Sequence, residues 1–199
     1  MRVQGASLRM LHTFRISRRR RLSFVLIAPL AIIAACAATH YAPQDTTALD
    51  DVPFFKQEDF QCGPAALATV INYWYQRGKT SCFVTPDEIV SDIYSPSAQG
   101  VLGLDLELLA RRLGFDVQQY SGSLDDIKKK IDQSVPLILL VDYGFRAYQI
   151  NHFMVITGYS EEGVVAHSGR RRNEYISKDK LERIWGRTGF WTLAIRPLP

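Results

Sequence analysis

The chain is 199 residues long, with 47% hydrophobic and 22% charged residues, 13 Gly, 9 Pro and 3 Cys, which fits one globular domain carrying a terminal appendage. That composition excludes a multidomain machine and a disordered tail protein. The formal charge of +4 does not mark a nucleic-acid binder: residues 1–35 hold seven Arg and no acidic residue, while residues 36–199 hold 17 Lys plus Arg against 20 Asp plus Glu, a net −3.

The leader comes first in chain order. Arg18 to Arg21 precede a 14-residue uncharged run, LSFVLIAPLAIIAA, which ends at Cys36. A basic start, a short apolar run and small residues before a cleavage point make the pattern of a secretory signal, expected over 1–35. The alternative is an uncleaved membrane anchor, and Met10 offers a second start. Ile33-Ala34-Ala35-Cys36 resembles the lipobox of bacterial lipoproteins, whose signal is cut before the Cys and whose Cys is acylated. That resemblance implies a protein on the periplasmic side of the envelope, anchored at Cys36. Ala37, in place of the Asp that signals inner-membrane retention, implies the outer membrane. Residues 36–50 read as a tether, with His40 a tether residue rather than a ligand. Once Cys36 is lipidated, Cys62 and Cys82 remain as an even pair. In an oxidising compartment such a pair points to a disulfide, which competes with any reactive role for Cys62.

In the domain, VPFF at 52–55 predicts a short opening strand that ends at Gln57. The segment 62–76, CGPAALATVINYWYQ, predicts a helix: its alanines favour helix, and Leu67, Val70, Ile71 and Trp74 recur at spacings of three or four. Pro64 suits a first turn, which puts Cys62 at a helix start, where unpaired N–H groups and the helix dipole favour a thiolate. Thr85 and Glu88 have capping-box spacing for a helix through Tyr94. LDLELLARRL at 104–113 predicts a third helix stopped by Gly114, followed by a strand at 115–120 and a solvated helix at 124–133. VPLILLV at 135–141 is the most apolar segment and predicts a central strand. Further strands are expected at 152–158, 163–167 and 189–195, with a helical turn around 181–185. Arg170-Arg171-Arg172 reads as a solvated turn. Helices early and strands late, without intervening helices, predict an α+β fold with a mainly antiparallel sheet.

Three polar features stand out: 57–62 at the mouth of the first helix, Asn151-His152 at a strand start, and His167-Ser168-Gly169 at the end of the next strand. A thiol nucleophile needs a base within hydrogen-bond reach and a group to orient that base. DVPFFKQEDFQCGPAALATVINYW resembles the nucleophile segment of papain-like cysteine peptidases, in particular the bacterial double-glycine leader peptidases that process bacteriocins. NHFMVITGYSEEGVV resembles the histidine strand of that family, and the likeness runs from about Asp51 to Arg196.

This resemblance implies a papain-like fold over 51–199, with N-terminal helices packed on the sheet. It implies that Cys62 is the nucleophile and His152 the general base, and that Gln57 forms the oxyanion hole with the Cys62 backbone N–H. The interval from Gln57 to Cys62 is one residue shorter than in the family, so Gln61 is an alternative donor. The family places an Asp where this chain has Ser168-Gly169. Ser168 therefore takes the third role as a neutral partner, with His167, Asn151 and Asp142 as other candidates.

The expected activity is thiol-dependent hydrolysis of a peptide or protein substrate through an acyl-enzyme, with an amidase or acyltransferase using the same chemistry as a close variant. The competing reading is a noncatalytic binding or assembly lipoprotein on a degenerate peptidase fold. No cofactor is expected. The chain has no G-x-x-x-x-G-K-[ST] loop for ATP, and its four His are too poorly spaced for a zinc site. Tyr143 to Tyr148, ahead of His152, are the candidate substrate contacts. Oligomeric state is not readable.

Overall fold

The computed structural model describes residues 42–57, 60–97 and 100–198; the leader, Cys36 and most of the expected tether lie outside the described residues. Its organising element is the helix α1, Cys62–Arg77, buried on every side from Gly63 to Tyr73. Only small residues permit such burial near the helix start. A Cβ on Gly63 would stand 2.2 Å from Val101 Cγ2 and 3.2 Å from the Phe153 ring, so the backbone approaches its neighbours as only glycine allows. Farther along, Asn72 accepts a hydrogen bond from the Val84 N–H and donates to the Ala68 and Val84 carbonyls, tying the following loop to the helix.

Helices α2, Pro86–Ile93, and α3, Gly103–Arg112, pack beside α1. The capping box at the start of α2 forms as its spacing predicts: Thr85 Oγ1 accepts from the Glu88 N–H at 3.2 Å, and Glu88 Oε2 accepts from the Thr85 N–H at 2.7 Å. Six strands and two helices then alternate little: β2 Phe115–Ser121, α4 Leu124–Asp132, β3 Leu137–Asp142, β4 Asn151–Ser160, β5 Gly163–Ser168, β6 Arg171–Ser177, α5 Lys178–Gly186 and a last strand β7 Trp191–Pro197. The sheet order is β2-β7-β3-β4-β5-β6, antiparallel throughout, and a two-residue strand β1, Thr47–Ala48, pairs with the end of β4.

The two-residue period of a strand divides this sheet between two cores. Ile138, Phe153, Val155 and Leu193 face α1, α2 and α3. Leu139, Val141, Met154 and Ala166 face the other way, where α4 and α5 add Ile127, Ile131, Leu181 and Trp185. A strand covered on both faces carries no polar alternation, which is why β3 reads as one apolar run.

The architecture is the expected α+β arrangement, with three local corrections. Residues 52–57 do not form the predicted strand; among the described residues a single ladder-like bond, from the Gln57 N–H to the Gly169 carbonyl at 3.0 Å, ties their backbone to the sheet. Thr47 and Ala48, expected in the tether, join the sheet. The Arg170 to Arg172 run is no mere turn: Arg171 opens β6, the sheet's edge strand. Among the described residues no helix is long and apolar enough to cross a membrane.

Candidate active site

The site is built around a gap in the ladder. Val155 of β4 pairs with His167 of β5, so Phe153 stands opposite Gly169, one residue beyond the end of β5. The outward N–H and C=O of Phe153 therefore have no strand to meet, and burial without partners would cost about 1–3 kcal/mol for each. Cys62 and Gln57 fill this gap.

Gln57 is 8% exposed, and its carboxamide acts as a surrogate peptide unit. Nε2 donates to the Phe153 carbonyl at 3.3 Å, and Oε1 accepts from the Gly169 N–H at 2.9 Å. These two opposite bonds fix which end of the amide is nitrogen. They also leave the second N–H of Nε2 as the group's remaining donor.

Cys62 is the first residue of α1, with no acidic side chain in the first turn and no side-chain cap on Gln61. Burial is the largest influence on its sulfur and pushes the thiol pKa up, while the nearby backbone N–H groups of Phe153, Gly63 and Cys62 itself act in the opposite direction and favour the thiolate. The position at a helix start alone suggested the opposite direction. Cys62 and Cys82 are both free, Cys82 being exposed, so the disulfide suggested by the even pair is not formed. Two residues before Cys62, Phe60 adopts φ 63°, a left-handed turn that costs a non-glycine residue about 1–2 kcal/mol.

By the same two-residue period, His152 and Ser168 project to the α5 face of the sheet, together with Met154 and Ala166. They meet there: His152 Nε2 lies 3.1 Å from Ser168 Oγ. Tyr143 borders the same basin as Ser168, and its ring lies 5.6 Å from the imidazole at 47°. Burial lowers the His152 pKa to about 4, so the imidazole is neutral at physiological pH. With Nε2 engaged by Ser168, Nδ1 is the nitrogen left to exchange a proton.

The other candidates for orienting His152 are occupied. Asp142 Oδ1 accepts from the Gly144 and Ile150 N–H groups at 2.7 and 2.8 Å, bonds that hold its carboxyl below the usual range and staple the loop ahead of His152. His167 accepts from the Asn173 N–H at Nδ1 and so donates from Nε2 to the Val52 carbonyl, at 3.3 Å in each case. Asn151 is exposed. The Gln61 amide donates to Asp87 of α2 at 3.3 Å, away from the role of substitute oxyanion donor. Among the described residues no group of three His, Cys, Asp or Glu could hold a metal ion.

Tyr143, expected as a substrate contact, lies instead against His152 and Ser168. Phe145 and Tyr148 remain fully presented to solvent, at 72% and 73% exposure. A basin of 420 Å³ opens beside His152 and Ser168, reaching Glu174 and Lys180, which no sequence motif marked. A larger cavity of 690 Å³, between residues 50–54 and the C-terminal half of α1, has Asp50, Arg77 and Arg172 on its walls but no thiol or imidazole.

Gln57 and the pair His152–Ser168 thus meet the strands β4 and β5 where their ladder ends, and Cys62 opens the helix packed beside Phe153. The chain belongs to the Peptidase_C39 like family, whose profile matches residues 49–192. Solved structures share the fold. A C39-like peptidase from Bacillus anthracis is 16% identical with a TM-score of 0.64, covering 78% of this chain and 99% of that one. The peptidase domain of Streptococcus ComA, described as a bi-functional ABC transporter involved in a quorum sensing pathway, is 19% identical with a TM-score of 0.59, covering 74% and 99%. A double glycine motif protease from an AMS/PCAT transporter, solved in complex with the leader peptide, is 22% identical with a TM-score of 0.58, covering 76% and 95%. No curated protein matches the chain significantly.

Proposed function

We propose that the protein is a cysteine peptidase that cleaves peptide bonds through an acyl-enzyme. The observation that carries this reading is the ladder gap beside His152, where Gln57 bonds both the Phe153 carbonyl and the Gly169 N–H and Cys62, at the start of α1, packs against the core that holds Phe153. His152 Nδ1 removes the thiol proton as the sulfur attacks the carbonyl carbon. The charge growing on the carbonyl oxygen is met by the free N–H of Gln57 and the Cys62 backbone N–H. Collapse breaks the C–N bond, and His152 hands its proton to the departing amine. A water, deprotonated by the same imidazole, then releases the acyl group from sulfur. Ser168 accepts from the His152 Nε2–H and fixes the ring as a positioning residue.

The raised thiol and the lowered imidazole make a neutral resting pair. Proton transfer accompanies attack instead of preceding it. The same neutral pair is the observation that favours the second reading, a noncatalytic binding protein on this scaffold. An amidase or acyltransferase would share the thiol step. The basic, apolar leader supports a lipid-anchored, envelope-facing location for either activity, with a peptide or protein as substrate.

The test is the rate of alkylation by iodoacetamide across pH, with peptide mapping. Cys62 is expected to label at least about tenfold faster than Cys62 in His152→Ala, because a neighbouring base contributes about 10² or more to such proton transfers. Its acid limb should lie near the His152 pKa, with reactivity lost as pH falls through about 4. Labelling indifferent to His152→Ala transfers the assignment to the binding protein.

Ser168→Asp gives a second, signed expectation. A carboxylate beside an imidazole raises its pKa by about 1–3 units. The ratio of ion pair to neutral pair rises tenfold per unit, so alkylation of Cys62 at pH 6 should increase at least about tenfold and the acid limb should move upward. An acid limb that stays in place would show that position 168 does not act on His152.

A further inference from the structure

His167 is a buried titratable residue that the reaction leaves unused. It sits at a bulge: Ala166 of β5 pairs with Glu174 of β6 and Ser168 with Arg171, so Arg172 and Asn173 together stand opposite His167. Asn173 takes φ 55°, and its N–H donates to His167 Nδ1 at 3.3 Å. On the other side the ring donates from Nε2 to the Val52 carbonyl, also at 3.3 Å, and meets Phe54 in a T-shaped contact with ring centres 5.3 Å apart. One imidazole thus joins the β5–β6 hairpin to residues 52–57, the segment whose far end sets Gln57 against Phe153 and Gly169.

This pair of bonds requires the neutral ring. Nδ1 accepts from Asn173 only while it carries no proton, and a second proton would set N–H against N–H where His167 is 3% exposed. Burial is the main influence on the ring and holds its pKa below the ordinary value; the Val52 carbonyl pulls the other way, and Arg172 adds repulsion. The remaining charged or titratable groups around it are Asp50 and Asp51 just before Val52, Tyr73 and Arg77 of α1 across the cavity that Val52, Phe54 and Arg172 also line, and Tyr175 farther along β6. Among the described residues no carboxylate is bonded to the imidazole. We propose that His167 is a positioning residue for Gln57 and a proton-sensitive latch: the neutral ring holds residues 52–57 on the sheet, and protonation releases them and withdraws the oxyanion donor. This rests on the peptidase reading and adds a mode of regulation to it. With the segment undocked the ring titrates near the ordinary value of about 6.5. Docking is therefore fully favoured above that pH and weakens below it, by up to about tenfold per pH unit until the lower docked value is reached.

Amide hydrogen exchange reads the docking directly, because the Gly169 N–H is held by Gln57 Oε1. Corrected for the intrinsic exchange rate, protection of Gly169 should fall about tenfold between pH 7.5 and pH 5, while Ile71 in the buried part of α1 keeps its protection. In His167→Gln, whose amide offers a donor to Val52 without titrating, Gly169 protection should stay level over the same range. Hydrolysis of a mixed peptide pool should fall in step with Gly169 protection. Alkylation of Cys62 by iodoacetamide, which develops no oxyanion, should hold until the pH nears about 4, where His152 itself titrates. The comparison of Gly169 with Ile71 in the wild type gives the answer even where His167→Gln does not fold.

Gly169 protection that stays level in the wild type, that falls together with Ile71, or that falls equally in His167→Gln overturns the latch and leaves the peptidase intact. Protection that falls as expected while hydrolysis and alkylation keep a constant ratio overturns the positioning role, since Gln57 then leaves without effect on the reaction. Hydrolysis that survives in Cys62→Ala overturns the peptidase reading itself, and the exchange results still decide whether His167 releases the segment.

Discussion

Peptide hydrolysis by the Cys62→Ala protein is expected to fall by at least about 10⁴-fold, the scale on which removal of a nucleophile acting in concert with its base is felt. The loss should be confined to chemistry. Cys62 is the first residue of α1, it packs at the edge of the core between the sheet and α1, α2 and α3, and alanine is the better helix former by up to about 0.7 kcal/mol. The midpoint of urea unfolding should therefore change little, in contrast to the turnover. The measurement is cleavage of a mixed peptide pool, read by mass spectrometry, for wild type and variant at matched folded concentration. Cleavage that persists in Cys62→Ala would mean another nucleophile, and the ladder gap would then have to be explained as structure alone.

The second large effect belongs to Gln57. Loss of one oxyanion donor typically costs about 10²–10³-fold in turnover, and Gln57→Ala should fall in that range. It should also destabilise the fold, because the Gly169 N–H and the Phe153 carbonyl lose the group that joins them. An unpaired buried polar group costs about 1–3 kcal/mol. The two roles separate experimentally. Alkylation by iodoacetamide develops no oxyanion, so it should fall far less than hydrolysis does. Equal losses in both assays would make Gln57 a purely structural residue, and a hydrolysis loss under about threefold would remove it from the oxyanion hole.

Much of this was legible in the chain because the relevant forces are local. α1 announces itself through alanines and a three-four apolar rhythm, α2 through the Thr85 and Glu88 capping pair, and β3 through burial on both faces. β6 escaped because its first residues, Arg171, Arg172 and Asn173, are exposed and polar at the sheet's edge, where neither face imposes alternation. Residues 52–57 misled in the opposite sense: they are apolar enough for a strand but are held by side chains and a single ladder-like bond.

At the site, Cys62, His152, Gln57 and Ser168 could be nominated from motif resemblance, and their proximity could not. Which of Ser168, Asp142, His167 and Asn151 turns toward the imidazole depends on strand register and on what else each side chain satisfies. Glu174 and Lys180 lie in β6 and α5, six and twelve residues past Ser168, and only the hairpin and the helix that follows bring them back to His152. The direction of the Cys62 shift likewise needed the depth of its burial, which no helix-start argument contains.

The use of a glutamine side chain to complete a backbone ladder has a kinetic corollary. Gln57 reaches across 96 residues to Phe153 and 112 to Gly169, so its amide can be aimed only after the distant hairpin of β4 and β5 has formed and the segment before α1 has been laid along it. Contacts of such sequence separation are late rewards in folding. A nascent or partly threaded chain thus carries its thiol long before it owns an electrophile-stabilising pocket. On the peptidase reading, competence therefore waits for residues 52–57 to dock, because that docking is what sets Gln57 against Phe153 and Gly169.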